Sequence, residues 1–367
     1  MRNSFFIILV VALIIALFGI LSIYSSTYQK EGDVWKDIYK RQVLWLAIGL
    51  ACYFVFSNLS YRYLWDWAHI IYAFTIFFLL LVVVMGAVRL GAQRWLRIAW
   101  FNFQPSEFVK LAMAISLARY YSKKDASDIR VASGSMGILR SLALPLLLVA
   151  IPVGLIIEQP DLGSGLIIIF LFIAVIYTAG VKLRYLFILL GSGLLIMPFF
   201  WNFLKDYQKE RLLVFLNPNM DPLGAGYTVI QSKIAVGSSG IFGKGWLAGT
   251  QSQLHFLPEA HTDFIFATFT EEWGFLGSVV LLSLYYILIR RGFMIAGRTQ
   301  DNFGKFLALG ITLVLGIQIF INIAMNLGLA PIVGLPLPLM SYGGSSMFVT
   351  FTALGILVNI DKRRAVF

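Results

Sequence analysis

Glu259, His261 and Asp263 fall within five residues, in Leu257-Pro-Glu-Ala-His-Thr-Asp-Phe264, just before an apolar stretch from Phe264 to Ile289 that is broken chiefly by Glu271 and Glu272. Carboxylates and an imidazole at such spacing can hold or take protons, and a carboxylate at the edge of a bilayer is costly unless something uses it. Two readings of Asp263 stand side by side. With Thr262 before it, Asp263 can cap the orphan N–H groups of a helix and complement its dipole. Alternatively, lying where water meets lipid, it can meet a substrate that has a polar head and a lipid tail. Glu271 lies eight residues further on, about 12 Å deeper at 1.5 Å per residue, so it can only support the site from behind.

Four further groups of residues have types suited to chemistry. In Gln104-Pro-Ser-Glu-Phe-Val-Lys110, Pro105 suits a first helical turn, and Glu107 and Lys110 share a helix face at i and i+3. They form either a structural ion pair that tolerates burial or a functional one, since an intramembrane charge is a functional candidate by default. Arg94, Trp95 and Arg97 belong to an Arg-, Trp- and Phe-rich segment, 89–104. They can bind phosphate or frame a sugar face, or simply form an interfacial aromatic belt with solvated arginines. Lys205, Lys209 and Arg211 interleave with Asp206 and Glu210, the pattern of a solvated helix face. Arg211 and Lys233 could equally supply positive charge to a departing pyrophosphate. The three histidines, His69, His255 and His261, have no metal-site spacing.

The elements that must position these groups are membrane helices. Hydrophobic residues make up 59% of the 367-residue chain and charged ones 13%, which excludes an ordinary soluble globule. Ten apolar runs predict an all-α polytopic membrane protein: 5–24, 42–57, 69–88, 105–121, 141–158, 164–180, 186–203, 264–289, 306–328 and 346–360. The first run has the place of an export signal but lacks a small-x-small cleavage site, so a retained helix is expected. Cys52 is the only cysteine and permits no intramolecular disulfide. The whole of 1–367 reads as a single transmembrane domain, with a large outward loop at about 204–263 between helices 7 and 8. Within that loop Val229 to Val236 has roughly helical spacing, and 329–345 forms a second ordered outward segment. No internal repeat of the transporter kind is visible.

Placing both termini on the cytoplasmic side puts sixteen Lys and Arg against five acids there, which accounts for the whole net charge of +11. The basic balance therefore reports topology and contact with anionic lipid, and no nucleic acid partner is expected.

Six motifs occur in order: Gly91-Ala-Gln-Arg-Trp95, Gln104-Pro-Ser-Glu-Phe-Val-Lys110, Gln159-Pro-Asp-Leu-Gly163, Gly240-Ile-Phe-Gly-Lys-Gly245, Pro258-Glu-Ala-His-Thr-Asp-Phe264 and Pro338-Leu-Met-Ser-Tyr-Gly-Gly-Ser-Ser346. Over nearly its whole length the chain resembles the SEDS family of shape, elongation, division and sporulation proteins. Val333 and Pro336 in Pro331-Ile-Val-Gly-Leu-Pro-Leu-Pro338 make it similar to the RodA elongation branch rather than the FtsW division branch.

The resemblance implies a ten-helix fold and a peptidoglycan glycosyltransferase that polymerises lipid II into glycan strands on the outer face of the cytoplasmic membrane. It implies Asp263 as the catalytic residue and Glu107 and Lys110 as a supporting pair; beside them Trp95, Arg94, Arg97, Arg211, Lys233, Glu259, His261 and Ser341 are expected to support the site. A divalent cation, Mg or Mn, is the only cofactor expected. The expected partners are lipid II, undecaprenyl-linked glycan, the bilayer and a single-pass class B penicillin-binding protein. That partner must crosslink, since no Ser-x-x-Lys transpeptidase machinery is recognisable here. Two rivals share the helices and buried charges: a lipid II flippase or transporter, and a non-catalytic scaffold that activates the penicillin-binding protein.

Overall fold

The computed structural model describes the chain except residues 1, 30–34, 36, 90–91, 99–100, 124–134, 203, 223, 225 and 364–367. It is nearly all helical: α1 (Arg2–Thr27), α2 (Ile38–Asn58), α3 (Arg62–Met85), α4 (Pro105–Ser122), α5 (Ser135–Glu158), α6 (Leu162–Thr178), α7 (Leu183–Trp201), α8 (Asp206–Leu216), α9 (Tyr227–Gly237), α10 (Thr250–Gln253), α11 (Ile265–Arg298), α12 (Asn302–Asn326) and α13 (Gly344–Arg363). Each of the ten apolar runs falls on one of these helices. Among the described residues six helical stretches are long and apolar enough to cross a membrane: Ser4–Thr27, Ile38–Asn58, Arg62–Met85, Ile265–Arg298, Asn302–Asn326 and Gly344–Arg363. Leu142–Glu158, Leu162–Thr178 and Leu183–Gly193 are shorter apolar stretches.

Two features depart from the sequence expectation. The 89–104 segment contributes to a three-stranded antiparallel sheet, β1 (Ala87–Arg89), β2 (Ala92–Ile98) and β3 (Phe101–Phe103), so the fold is not purely α. Its alternating Trp95, Arg97 and Phe101, Phe103 carry the period of a strand, which the aromatic and Arg composition had masked. The helices also outrun their apolar runs: α3 begins seven residues before residue 69 and α11 continues nine past Ile289, because a helix does not end where lipid does.

The chain divides into two compact units. The first comprises Met1–Asn58, Glu210–Arg291 and Leu315–Val358, the second Leu59–Lys209, Gly292–Val314 and Asn359–Phe367. In the second unit α3 shows the polarity of a lipid-facing helix. Trp67, Ile70, Phe74, Phe77, Leu80 and Val84 form an exposed stripe at helical spacing, while Ala68, Thr75, Leu79 and Val82 are buried. The sheet pairs Ala87 with Trp95 and Leu96 with Phe103. Phe103 then packs on Phe78 of α3 and Phe108 of α4, with ring centroids 5.4 and 4.7 Å away.

In the first unit α2 and α13 approach closely through small residues. A Cβ at Gly355 would lie 2.8 Å from the Tyr53 carbonyl oxygen, the kind of contact that lets membrane helices pack without a hydrophobic drive. The main irregularity is in α11, where Gly274 adopts φ 69° and ψ −165°, a region open essentially only to glycine. The break frees the carbonyls of Glu271 and Glu272 and the N–H groups of Phe275 and Leu276. The 240–245 loop binds all four. Lys244 and Gly245 donate their N–H groups to the Glu271 and Glu272 carbonyls at 2.9 and 3.0 Å, and Phe275 and Leu276 donate to the carbonyls of Gly240 and Ile241 at 3.0 and 3.1 Å. The two buried acids are answered as well. Glu271 accepts from Lys244 Nζ at 2.7 Å and Thr250 Oγ1 at 3.0 Å, and Glu272 accepts from the Ser25 hydroxyl.

This junction leaves no room for a side chain, since a Cβ on Gly274 would sit 2.2 Å from the Gly243 nitrogen. Gly274→Ala is expected to lower the midpoint of thermal unfolding in detergent, through roughly 1–3 kcal/mol of backbone strain plus the clash. Gly297→Ala in the same helix, whose Cβ would meet nothing within 4 Å, should leave the midpoint unchanged or raise it. Equal midpoints for the two variants would show that the junction is not rigid.

Candidate active site

The 257–264 segment is anchored by its apolar residues. Leu257, Ala260 and Phe264 are buried and cluster with Ala235 of α9 and Ala267 of α11. That leaves Pro258, Glu259 and Asp263 off the core. The turn closes on Glu259, whose carbonyl accepts from Thr262 N at 3.1 Å and Phe264 N at 3.3 Å. The Glu259 side chain is exposed and accepts from Thr262 Oγ1 at 3.0 Å. His261 is buried, its ring edge-on to Trp35 at 5.4 Å and 6.0 Å from the ring of Tyr342. Asp263 is partly exposed, directly before α11.

Three consecutive carbonyls of this turn are held from outside. The His261 carbonyl accepts from Tyr342 N at 2.9 Å, and the Thr262 carbonyl from Ser341 Oγ at 2.5 Å. The Asp263 carbonyl accepts from the side-chain amides of Asn322 and Asn326, both at 3.0 Å. Ser341 is fixed in turn. Its Oγ accepts from Leu337 N at 2.8 Å, and its carbonyl accepts from Gln42 Nε2 of α2 at 3.1 Å. The 329–345 segment is further tied by Gln318 Nε2 to the Pro336 carbonyl and by the Tyr285 hydroxyl to the Pro338 carbonyl, at 2.8 and 2.7 Å. Arg211 of α8, half-buried, donates to the Ile332 carbonyl at 3.2 Å. Lys233 is exposed on α9, with its stem lying over Gly328.

The second unit gathers the remaining residues. Glu107 and Lys110 are 2% and 1% exposed and form an ion pair of 2.6 Å in the first turns of α4. A pair so dry is held by its own geometry, and removal of either partner would strand a charge. Arg94 of β2 donates to the carbonyls of Gln159 and Pro160, so its guanidinium fastens the turn between α5 and α6. Gln159 adds a bond of 2.8 Å to the Leu79 carbonyl, and Asp161 caps α6 by accepting from Ser164 N at 3.2 Å. Trp95 is partly buried in β2. Arg97 stands opposite Asn102 in the sheet register, and its side chain lies outside the described residues.

Among the described residues no group of three or more His, Cys, Asp or Glu could hold a metal ion. The sequence reasoning missed Gln42, Lys244, Asn322 and Asn326. Asn322 and Asn326 did carry a signal, being two amides at i and i+4 on one face of an otherwise apolar membrane helix.

Comparison with known proteins places this arrangement in a lineage. Residues 4–365 match the family described as cell cycle protein, comprising FtsW, RodA and SpoVE. The chain is 40% identical over 357 residues to the peptidoglycan glycosyltransferase MrdB of Escherichia coli (strain K12), covering 97% of this chain and 93% of that protein. It is 36% identical over 364 residues to the probable peptidoglycan glycosyltransferase FtsW of Geobacter sp. (strain M18), covering 97% and 96%. Among solved structures, a chain of a peptidoglycan synthase complex that coordinates polymerization and crosslinking superposes with a TM-score of 0.81 at 34% identity, covering 98% of this chain and 97% of that one. The rod shape determining protein RodA of Thermus thermophilus gives 0.71 at 28% identity, covering 98% and 96%. With the match running through both units, this chain belongs to the FtsW, RodA and SpoVE family of cell cycle proteins.

Proposed function

We propose that this chain is a peptidoglycan glycosyltransferase that polymerises lipid II into glycan strands at the outer face of the cytoplasmic membrane, serving cell elongation and rod shape, with Asp263 as its general base. The observation that carries the reading is a partly exposed carboxylate at the mouth of α11 whose main chain is tied at three consecutive carbonyls. A base must stand within hydrogen-bond reach of the proton it takes, and rigidity of its backbone keeps it there. Asp263 accepts the proton of the acceptor GlcNAc 4-hydroxyl as that oxygen attacks C1 of the donor MurNAc. The C1–O bond to undecaprenyl diphosphate breaks and the leaving group takes the electron pair. Direct displacement at the α-linked donor gives a β-linkage, so one carboxylate suffices and no covalent glycosyl intermediate is needed.

The departing diphosphate needs positive charge. Arg211 and Lys233 are the basic side chains of the outward 204–263 segment assigned to it, with a divalent cation as the alternative or additional source of charge. Glu107 and Lys110 support the site as a neutralised pair. The chain acts as a single ten-span transmembrane domain with both termini cytoplasmic, a topology supported by the inward clustering of Lys and Arg. The crosslinking partner is a class B penicillin-binding protein, a reading supported by the likeness to a chain of a synthase complex that couples polymerization to crosslinking.

Purified with its transpeptidase partner and given lipid II in the presence of an inhibitor of conventional glycosyltransferases, the wild-type chain should yield glycan polymer on a gel. Asp263→Ala should lower the rate by about 10²–10⁴-fold, the usual contribution of a general base. Equal polymer from both proteins would remove Asp263 from the chemistry. Transport of lipid II by both proteins, with polymer from neither, would favour a flippase. Full partner activation by Asp263→Ala without polymer from either protein would favour a scaffold.

The buried pair in α4 makes a separate prediction. Lys110→Met should cost about 3–5 kcal/mol of stability by stranding Glu107. Adding Glu107→Leu should restore most of that loss, as read from thermal midpoints of the single and double variants. A double variant that is stable yet inactive would assign the pair to the reaction, and one that is stable and active would assign it to the fold.

A further inference from the structure

In an uninterrupted helix the N–H of Ala267 would donate to the carbonyl of Asp263, four residues back. Here the Asn326 amide stands between them. Its Oδ1 accepts from Ala267 N at 3.0 Å, and its Nδ2 donates to the Asp263 carbonyl at 3.0 Å. The side chain thus replaces one rung of the α11 ladder with a bridge, and the helix starts at Ile265 rather than further upstream. Asn322, one turn earlier in α12, adds a second donor to the same carbonyl at 3.0 Å and ties it to the Leu335 carbonyl at 2.7 Å. Asn326 is locked from behind as well, since its own carbonyl accepts from Ser232 Oγ of α9 at 2.7 Å. Both asparagines are fully buried, and nothing in the apolar surroundings would otherwise favour an amide there.

We infer that Asn326, assisted by Asn322, is a positioning residue for Asp263: by splicing its amide into the first turn of α11 it keeps the Asp263 peptide out of the helix and sets the direction of the carboxylate. The inference rests on the reading of Asp263 as the general base. A bridge of this kind fixes the peptide plane on both sides, because the acceptor and donor of one amide are rigidly related. With Asn326 shortened to alanine, Ala267 N and the Asp263 carbonyl are free to bond directly. The helix then gains a rung, and Asp263 is drawn into helical geometry with its side chain turned. Loss of Asn322 leaves both ends of the bridge in place and removes the second donor, its tie to the Leu335 carbonyl and a 3.3 Å acceptor for Asn326 Nδ2, so its effect is smaller.

The test uses the full-length chain with its transpeptidase partner, with rates measured across lipid II concentrations and expressed per folded molecule in the monodisperse peak. Asn326→Ala should lower kcat on the order of 10- to 100-fold, the scale of a reacting group misplaced by about 1 Å, with KM within twofold of wild type. Asn322→Ala should lower kcat several-fold, also at constant KM. Asp263→Asn serves as the control. If Asp263→Asn is inactive while both asparagine variants keep wild-type kcat, or change KM alone, the positioning role is overturned and the general-base reading stands. If Asp263→Asn polymerises like wild type, the general-base reading falls and takes this inference with it. If both asparagine variants lose the folded peak, the amides belong to stability and the inference is again overturned.

Discussion

A peptide group buried in lipid has no water to fall back on, so every N–H and C=O that leaves a helical ladder must find a partner inside the protein. In α11 that requirement is met twice within fifteen residues. At Gly274 the ladder opens and the four freed groups are taken by backbone from the 240–245 loop. At Asp263 a rung is missing and side-chain amides from α12 fill it. Each repair fixes the segment that performs it. The 240–253 stretch must lie against 271–276, and the end of α12 must lie against 263–267. The 329–345 segment, bonded to both α12 and the 261–263 turn, follows.

The buried charges obey the same economy of partners. Glu107 is matched by Lys110, Glu271 by Lys244 with a threonine hydroxyl, and Glu272 by the Ser25 hydroxyl. In each of these acids it is the carboxyl group that is held, and the residue is buried. Asp263 differs in exposure: the residue is partly exposed, while its carbonyl is held just as those of Glu271 and Glu272 are. The proposed role of Asp263 as a base draws on this exposure together with the braced backbone, because a base must be rigid at its backbone and within reach of the proton it takes.

Much of this was legible in the sequence, for identifiable reasons. Each apolar run fell on a helix because long unbroken apolarity is the mark of one, six helices among the described residues being long and apolar enough to cross a membrane, and α9 appeared where Val229 to Val236 has helical spacing. The sheet was not legible, since its aromatic and arginine side chains fit an interfacial belt as well as a strand, and that composition masked their alternation. The capping and catalytic readings of Asp263 could not be separated from sequence. Capping depends on which groups the helix N-terminus leaves free, and Asn326, some sixty residues away, is what takes the Ala267 N–H. Arg94 was legible as a cation but not as a fastener of the 159–160 turn, because carbonyl partners leave no trace in side-chain identity.

The six motifs that run in order along the chain resolve into two sets of three. Gly240–Gly245 bonds to the amino-terminal half of α11 and Pro258–Phe264 runs into it, while Pro338–Ser346 bonds to the 261–262 turn and, through the Pro338 carbonyl, to Tyr285 further along α11. Gly91–Trp95, Gln104–Lys110 and Gln159–Gly163 meet through the sheet, the start of α4 and the α5–α6 turn. The first set holds a partly exposed carboxylate on a braced backbone, while the second holds a neutralised ion pair and a guanidinium committed to main-chain carbonyls. Within the second set the Glu107 carboxylate is answered by Lys110, whereas Asp161 is answered at one oxygen, by Ser164 N, and its Oδ2 is buried with no hydrogen-bond partner among the described residues. On the reading of Asp263 as the base, proton transfer falls to the first set, while in the second Arg94, bonded to the Gln159 and Pro160 carbonyls, holds the shape of its own turn.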